Sequence, residues 1–206
     1  VVQNLGSRGQ LIMACGTGKT LTALWVAEKL NANTVLVLLP SLLLLSSTLR
    51  EWRAHSKEIF RSLPVCSDDK VTDSQDAISL STSDLIVPST TDVGEIKRFI
   101  NGPGRKVIFS TYQSSKKIAE AFKAGDLKPI DLIIADEAHR CAGTPDSAYS
   151  TVLDNGLIPA DKRLFMTATP RTYTSQFKKK TADSGVTMIS MDNKQIFGPE
   201  LHKLTF

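Results

Sequence analysis

The chain has 206 residues, 25 of them Lys or Arg against 21 Asp or Glu, a formal charge of +4, and 41% of it is hydrophobic. A chain of this length buries a core without staples, and that balance excludes wholesale disorder, collagen-like repeats and a disulfide scaffold. Cys15, Cys66 and Cys141 lie far apart at no metal-ligand spacing, which fits a reducing cytoplasm, and the apolar run 35–45 falls well short of the roughly twenty residues that cross a membrane.

Strand-length apolar runs alternate with segments of helical period, which predicts an α/β domain spanning 1–206 around a mainly parallel sheet. Leu11-Ile12-Met13 is the first expected strand, and a helix from about Lys19 to Leu30 follows a glycine-bearing turn. Thr34 to Leu39 is the next strand, stopped by Pro40. Leu42, Leu45, Leu49 and Trp52 recur at helical spacing and predict an amphipathic helix over 42–55. Residues 67–92 are mostly Ser, Thr and Asp, a polar connection with a short strand expected at Leu85-Ile86-Val87. Asp92 followed by Glu95 reads as a capping box opening a helix through Ile100, and Asn101-Gly102-Pro103-Gly104 is a turn. Strands are then expected at Val107-Ile108-Phe109, Leu132 to Ala135 and Leu164-Phe165-Met166, with a helix carrying Ile118, Ala121 and Phe122 and ending at Gly125. Beyond Pro170 the pattern weakens to one expected strand over 186–191 and a turn at Gly198-Pro199.

Gly16-Thr17-Gly18-Lys19-Thr20 joins a strand to a helix, the context that makes a glycine motif a phosphate site. Glycines let the backbone curl so that the amides of Cys15 through Thr20 point inward, and the helix start adds its positive dipole end. Lys19 then reaches the β- and γ-phosphates, and the Thr20 hydroxyl ligates Mg²⁺. The strict P-loop pattern has glycine where this chain has Met13.

Asp136 and Glu137 end the strand 132–135, and in an open parallel sheet that edge is where ligands bind. Asp136 is placed to hold Mg²⁺ through water, and Glu137 to orient and deprotonate the attacking water. His139 is read as an orienting or coupling group. The bland alternatives are a chance glycine turn and an acidic helix cap; each loses weight because the two motifs occur together.

Met13 to Thr20, Asp136-Glu137-Ala138-His139 and Thr167-Ala168-Thr169-Pro170 resemble motifs I, II and III of superfamily 2 helicases and translocases, in that order. The resemblance covers nearly the whole chain. It implies the first of two RecA-like lobes, a P-loop NTPase fold whose parallel sheet carries helices on both faces. Leu39-Pro40-Ser41-Leu42, Phe109 to Ser114, Arg8-Gly9, Met166 to Arg171 and Ile196 to Glu200 look like the restriction-enzyme branch, closest to single-chain enzymes of type I character. The resemblance implies ATP and Mg²⁺, with Lys19, Asp136 and Glu137 catalytic. Thr167 and Thr169 couple nucleotide state to DNA grip through hydroxyls that bond the segment 136–139. Pro40, Ser41, Ser110, Thr111, Tyr112 and Gln113 line the DNA face.

It further implies duplex DNA as partner, a second lobe with an arginine finger, and nuclease and methyltransferase regions elsewhere in the parent polypeptide. An adenine-reading glutamine is expected upstream, and Gln3 and Gln10 lie too close to the loop for that role. The Lys178–Lys180 run with Arg171 reads as solvated surface, and Trp25 and Trp52 as core. The motifs also fit a strand-separating helicase; a small-molecule kinase and a non-hydrolysing regulatory module fit them less well.

Overall fold

The computed structural model describes residues 1–67, 88–145 and 149–204. The short strand expected at Leu85-Ile86-Val87, with most of the polar connection, lies outside the described residues.

Seven strands form one sheet: β1 (Arg8–Met13), β2 (Thr34–Leu39), β3 (Arg61–Val65), β4 (Lys106–Thr111), β5 (Ile130–Ala135), β6 (Ala160–Thr167) and β7 (Glu200–Leu204). Their order is β3-β4-β2-β5-β6-β1-β7, and every pair is parallel. All carboxyl ends therefore share one edge. The helices are α1 (Lys19–Lys29), α2 (Leu42–His55), α3 (Val93–Asn101), α4 (Ser115–Lys123), α5 (Ser175–Asp183) and α6 (Lys194–Phe197).

Both faces of the sheet are covered, which is why β2, β4 and β5 read as continuous apolar runs rather than alternating ones. Val35, Val37 and Leu39 pack under α1 and α2, while Leu36 and Leu38 pack under α3 and α4. Burying Leu45, Leu49 and Trp52 contributes roughly 1.5–3 kcal/mol per side chain. The weak helix formers Ser46, Ser47 and Thr48 in the same helix cost a few tenths of a kcal/mol each. Packing therefore decides α2. The Trp52 indole N–H also donates to the Thr20 carbonyl at 3.1 Å, tying α2 to the first turn of α1.

One expectation holds in half: Asp92 Oδ1 accepts from the Glu95 amide at 2.7 Å, capping α3, while the Asp92 amide donates to Thr90 Oγ1 at 3.0 Å rather than to the Glu95 carboxylate of a full capping box. Others are corrected. Trp25 is 51% exposed rather than in the core. The apolar stretch 186–191 makes a single antiparallel bridge, Ile189 to Gly143, because Met191 and Ile189 turn into the apolar layer beneath α3 and α4 instead of extending the sheet. The edge strands β3 and β7 are additional elements, as is α5. Pro64 is tolerated in edge strand β3 because its nitrogen faces away from β4, on the side where its carbonyl accepts from the Thr90 amide at 3.0 Å. No described helix is long and apolar enough to cross a membrane.

Candidate nucleotide site

The glycine turn after β1 adopts left-handed geometry at Gly16 (φ 76°) and Gly18 (φ 83°), with open space where a Cβ would point. Glycine stands there for backbone conformation, not for crowding. The Thr17 hydroxyl closes the turn by donating to the Ala14 carbonyl at 2.7 Å. Gly18 precedes α1, so the first-turn amides have no helical carbonyl ahead of them. Met13, where the strict motif has glycine, is a buried core residue that ends the strand. Its carbonyl accepts from Lys19 Nζ at 3.3 Å, which parks the ammonium against the mouth of the turn.

Asp136 follows β5 directly, and its amide donates to the Leu38 carbonyl at 2.9 Å. The phosphate turn and the acid pair are not on neighbouring strands: β6 runs between β1 and β5 and ends in Thr167. Thr20 and Asp136 nevertheless line one small cavity together with Trp52, Ile134 and Met166. Burial first, and then the charge of Glu137, push the Asp136 carboxyl up to about 6, against the hydrogen bond from the Glu137 amide and the charge of Lys19. Burial disfavours the ionised form of this carboxyl, and a neighbouring cation would favour it. The open glycine turn, the ammonium and this carboxylate fit a triphosphate with its divalent ion.

Glu137 is left-handed, with φ 48° and ψ 45°, and opens the short 3₁₀ turn Ala138–Cys141. For a side-chain-bearing residue that conformation costs on the order of 1–2 kcal/mol, and such strain concentrates at functional sites. Glu137 Oε2 lies 3.3 Å from His139 Nδ1. The same nitrogen is 2.9 Å from the Thr167 hydroxyl, which in turn accepts from the Thr169 amide at 3.1 Å. Thr169 enters through its backbone, not through its hydroxyl as expected, and its side chain is exposed. Burial lowers the His139 imidazole below its ordinary range, with Glu137 opposing.

The residues expected to line a DNA face divide. Ser41 caps α2, accepting from the Leu44 amide at 3.3 Å, and is half-buried; Gln113 is exposed. Pro40, Ser110, Thr111 and Tyr112 are buried, so their side chains do not lie on an outer face. The Ser110 hydroxyl is spent on backbone carbonyls at 3.0 and 2.9 Å, Thr111 on Ser114 at 3.1 Å, and Tyr112 on the Asp136 carbonyl at 2.6 Å. Buried hydroxyls require such partners, and the end of β4 supplies them.

Sequence reasoning passed over Tyr149, whose hydroxyl receives Arg140 Nη1 at 3.2 Å and, at the long limit, Gln113 Nε2 at 3.5 Å. No local pattern marks it. Gln10 spends its amide on the Met191 and Gly198 carbonyls at 3.0 and 2.9 Å, a structural role. Cys15 is an exposed member of the turn, and Lys178 is paired with Asp192 at 2.8 Å.

No curated protein matches the chain. Among solved structures it is similar to a nuclease-deletion mutant of the Type ISP restriction-modification enzyme LlaGI in complex with a DNA substrate mimic. There the identity is 35% and the TM-score 0.72, over 98% of this chain and 18% of that one. It is also similar to the ATP-dependent Type ISP restriction-modification enzyme LlaBIII bound to DNA, at 34% identity and TM-score 0.75, over 98% of this chain and 14% of that one. The chain thus spans less than a fifth of either restriction enzyme. The Pyrococcus furiosus Hef helicase domain shares the fold at 20% identity and TM-score 0.60, over 98% of this chain and 36% of that one. The fold is that of a RecA-like lobe. The model of the type III restriction enzyme res subunit matches residues 2–172, and the chain belongs to that family, ResIII.

Proposed function

We propose that this chain is the nucleotide-binding lobe of a DNA-dependent ATP hydrolase that translocates on duplex DNA as the motor of a restriction enzyme. The observation that carries the reading is the meeting of Lys19, Thr20 and Asp136 at one sheet edge, with the end of β6 touching His139 beside them. The likeness to LlaGI and LlaBIII, both solved with DNA or its mimic, supports the restriction assignment.

The turn amides and Lys19 hold the β- and γ-phosphates. The Thr20 hydroxyl and Asp136 are the groups that would hold Mg²⁺, which supplies charge neutralisation between those phosphates when bound. Glu137 takes a proton from the attacking water, whose oxygen bonds to the γ-phosphorus as the bond to the bridging oxygen breaks, leaving ADP and phosphate. A kinase has no use for a water-activating base in this place, and an inert regulatory module has no use for a strained glutamate.

On this reading a second lobe supplies an arginine finger, and without it the present lobe hydrolyses ATP very slowly; such a finger is worth roughly 10³–10⁵ in rate. Nuclease and methyltransferase regions complete the parent polypeptide, and the free thiols Cys15, Cys66 and Cys141 suit the cytoplasm. The test is ATP turnover by the complete polypeptide with and without duplex DNA, run beside triplex- and strand-displacement assays. DNA-stimulated turnover with triplex displacement and no strand separation is the expected result. Strand separation would instead mark a helicase, and turnover indifferent to DNA would overturn the reading.

A further inference from the structure

The peptide joining Asp136 to Glu137 is gripped at both of its polar atoms. Its N–H donates to Asp136 Oδ1 at 2.9 Å, and its carbonyl accepts the Tyr112 hydroxyl at 2.6 Å. These two bonds fix the rotation of that peptide plane, and with it the left-handed φ of Glu137. The orientation of the candidate base is therefore set in part by a side chain from another strand end.

Tyr112 is fully buried, in the short connection between β4 and α4. Its backbone is pinned: the amide donates to the Leu39 carbonyl at 3.2 Å, and its own carbonyl accepts the Ser115 hydroxyl at 2.6 Å. The ring packs on Tyr149 at 4.9 Å, and Cys141 is buried in the same apolar cluster. The next residue, Gln113, is exposed at the sheet edge. A phenylalanine would fill the same space, so the hydroxyl is the informative atom.

We infer that Tyr112 is a positioning residue that holds Glu137 in its left-handed conformation through the peptide joining it to Asp136. The inference rests on the reading of the chain as a DNA-dependent ATP hydrolase, and goes beyond it by naming a residue that positions the base.

The experiment compares Tyr112→Phe and Cys141→Ala with wild type in the complete polypeptide, measuring kcat and KM for ATP with and without duplex DNA, and the Kd for that DNA. Tyr112→Phe is expected to lower the DNA-stimulated kcat roughly tenfold or more, the scale of a misplaced catalytic group, with KM and the DNA Kd within twofold of wild type. Cys141→Ala, which loosens the same packing but leaves the Tyr112–Asp136 bond, is expected to keep the stimulated kcat within about twofold. Equal losses from both variants would make the effect one of packing and overturn the inference, as would an unchanged stimulated kcat in Tyr112→Phe. A Phe variant whose DNA Kd rises in step with its lost rate would also overturn it. A wild-type enzyme with no DNA stimulation would overturn the underlying reading, an outcome separate from a stimulated wild type matched by its Phe variant.

Discussion

The Thr167 hydroxyl stands 2.9 Å from His139 Nδ1 and joins the end of β6 to the turn that carries Glu137. Because β6 lies between β1 and β5, this contact sits between the phosphate turn and the acid pair. Movement of residues 167–171 is thereby felt at His139. Thr167→Val keeps the shape of this fully buried side chain and removes its polar atom, which costs about 1–3 kcal/mol at a buried hydrogen bond. Expressed at the transition state, that is roughly a five- to hundredfold loss of DNA-stimulated turnover. Nucleotide affinity is expected to stay near wild type, so steady-state rates beside a binding titration check the prediction.

Lys19 Nζ makes a 3.3 Å contact to the Met13 carbonyl that a phosphate oxygen would outcompete. A charge-assisted hydrogen bond contributes about 1.5–3 kcal/mol, so Lys19→Ala is expected to weaken ATP binding roughly ten- to hundredfold. The side chain supports nothing in the core, so circular dichroism should be unchanged. Calorimetric titration with ATP gives the answer, and retained affinity would remove the phosphate site.

How much of this was visible beforehand depends on where each residue sits. β2, β4 and β5 are legible because burial on both faces leaves unbroken apolar runs, and the turn at Gly16–Gly18 because its backbone geometry demands glycine. β3 and β7 are edge strands with few apolar residues, so nothing in their composition separates them from loop. Ser110 and Tyr112 illustrate a different limit. A hydroxyl reads the same in sequence whether it faces a DNA phosphate or a buried carbonyl, and only the packing of α4 and the turn after β5 decides. The Tyr149 contacts join residues 9 and 36 positions apart and have no local signature.

Glu137, the proposed base, adopts a conformation that side chains disfavour. Glu137→Gln keeps shape and hydrogen-bonding reach but cannot take a proton. It is expected to lower turnover by roughly 10²–10⁴ with ATP affinity preserved, as read by single-turnover kinetics beside equilibrium binding. A near-wild-type rate would remove Glu137 as the base.

Glu137→Gly relieves the left-handed strain as well as deleting the carboxylate. Its expected signature is a rise in unfolding stability of about 1 kcal/mol together with lost hydrolysis. A denaturant midpoint that falls instead would mean that the side chain's contact with His139 outweighs the strain.

Asp136 gives the site a pH dependence whose sign is fixed by its environment. Its carboxyl, ordinarily near 3.8, is pushed up to about 6 by burial and by Glu137, so between those values the native state holds a proton that the unfolded chain has released. Stability from this group is fully present below about pH 4 and is lost as pH rises through 6, by at most about 3 kcal/mol. Asp136→Asn cannot ionise and should lack that loss. The difference between variant and wild-type denaturant midpoints, measured without Mg²⁺, is expected to be small at pH 4.5 and to favour the variant at pH 7. A cation bound there favours the ionised form, so Mg²⁺ should flatten the wild-type decline at pH 7 and bind more weakly below about pH 6. A wild-type and variant difference that does not change with pH would mean that Asp136 keeps its ordinary acidity and that its burial is relieved by water.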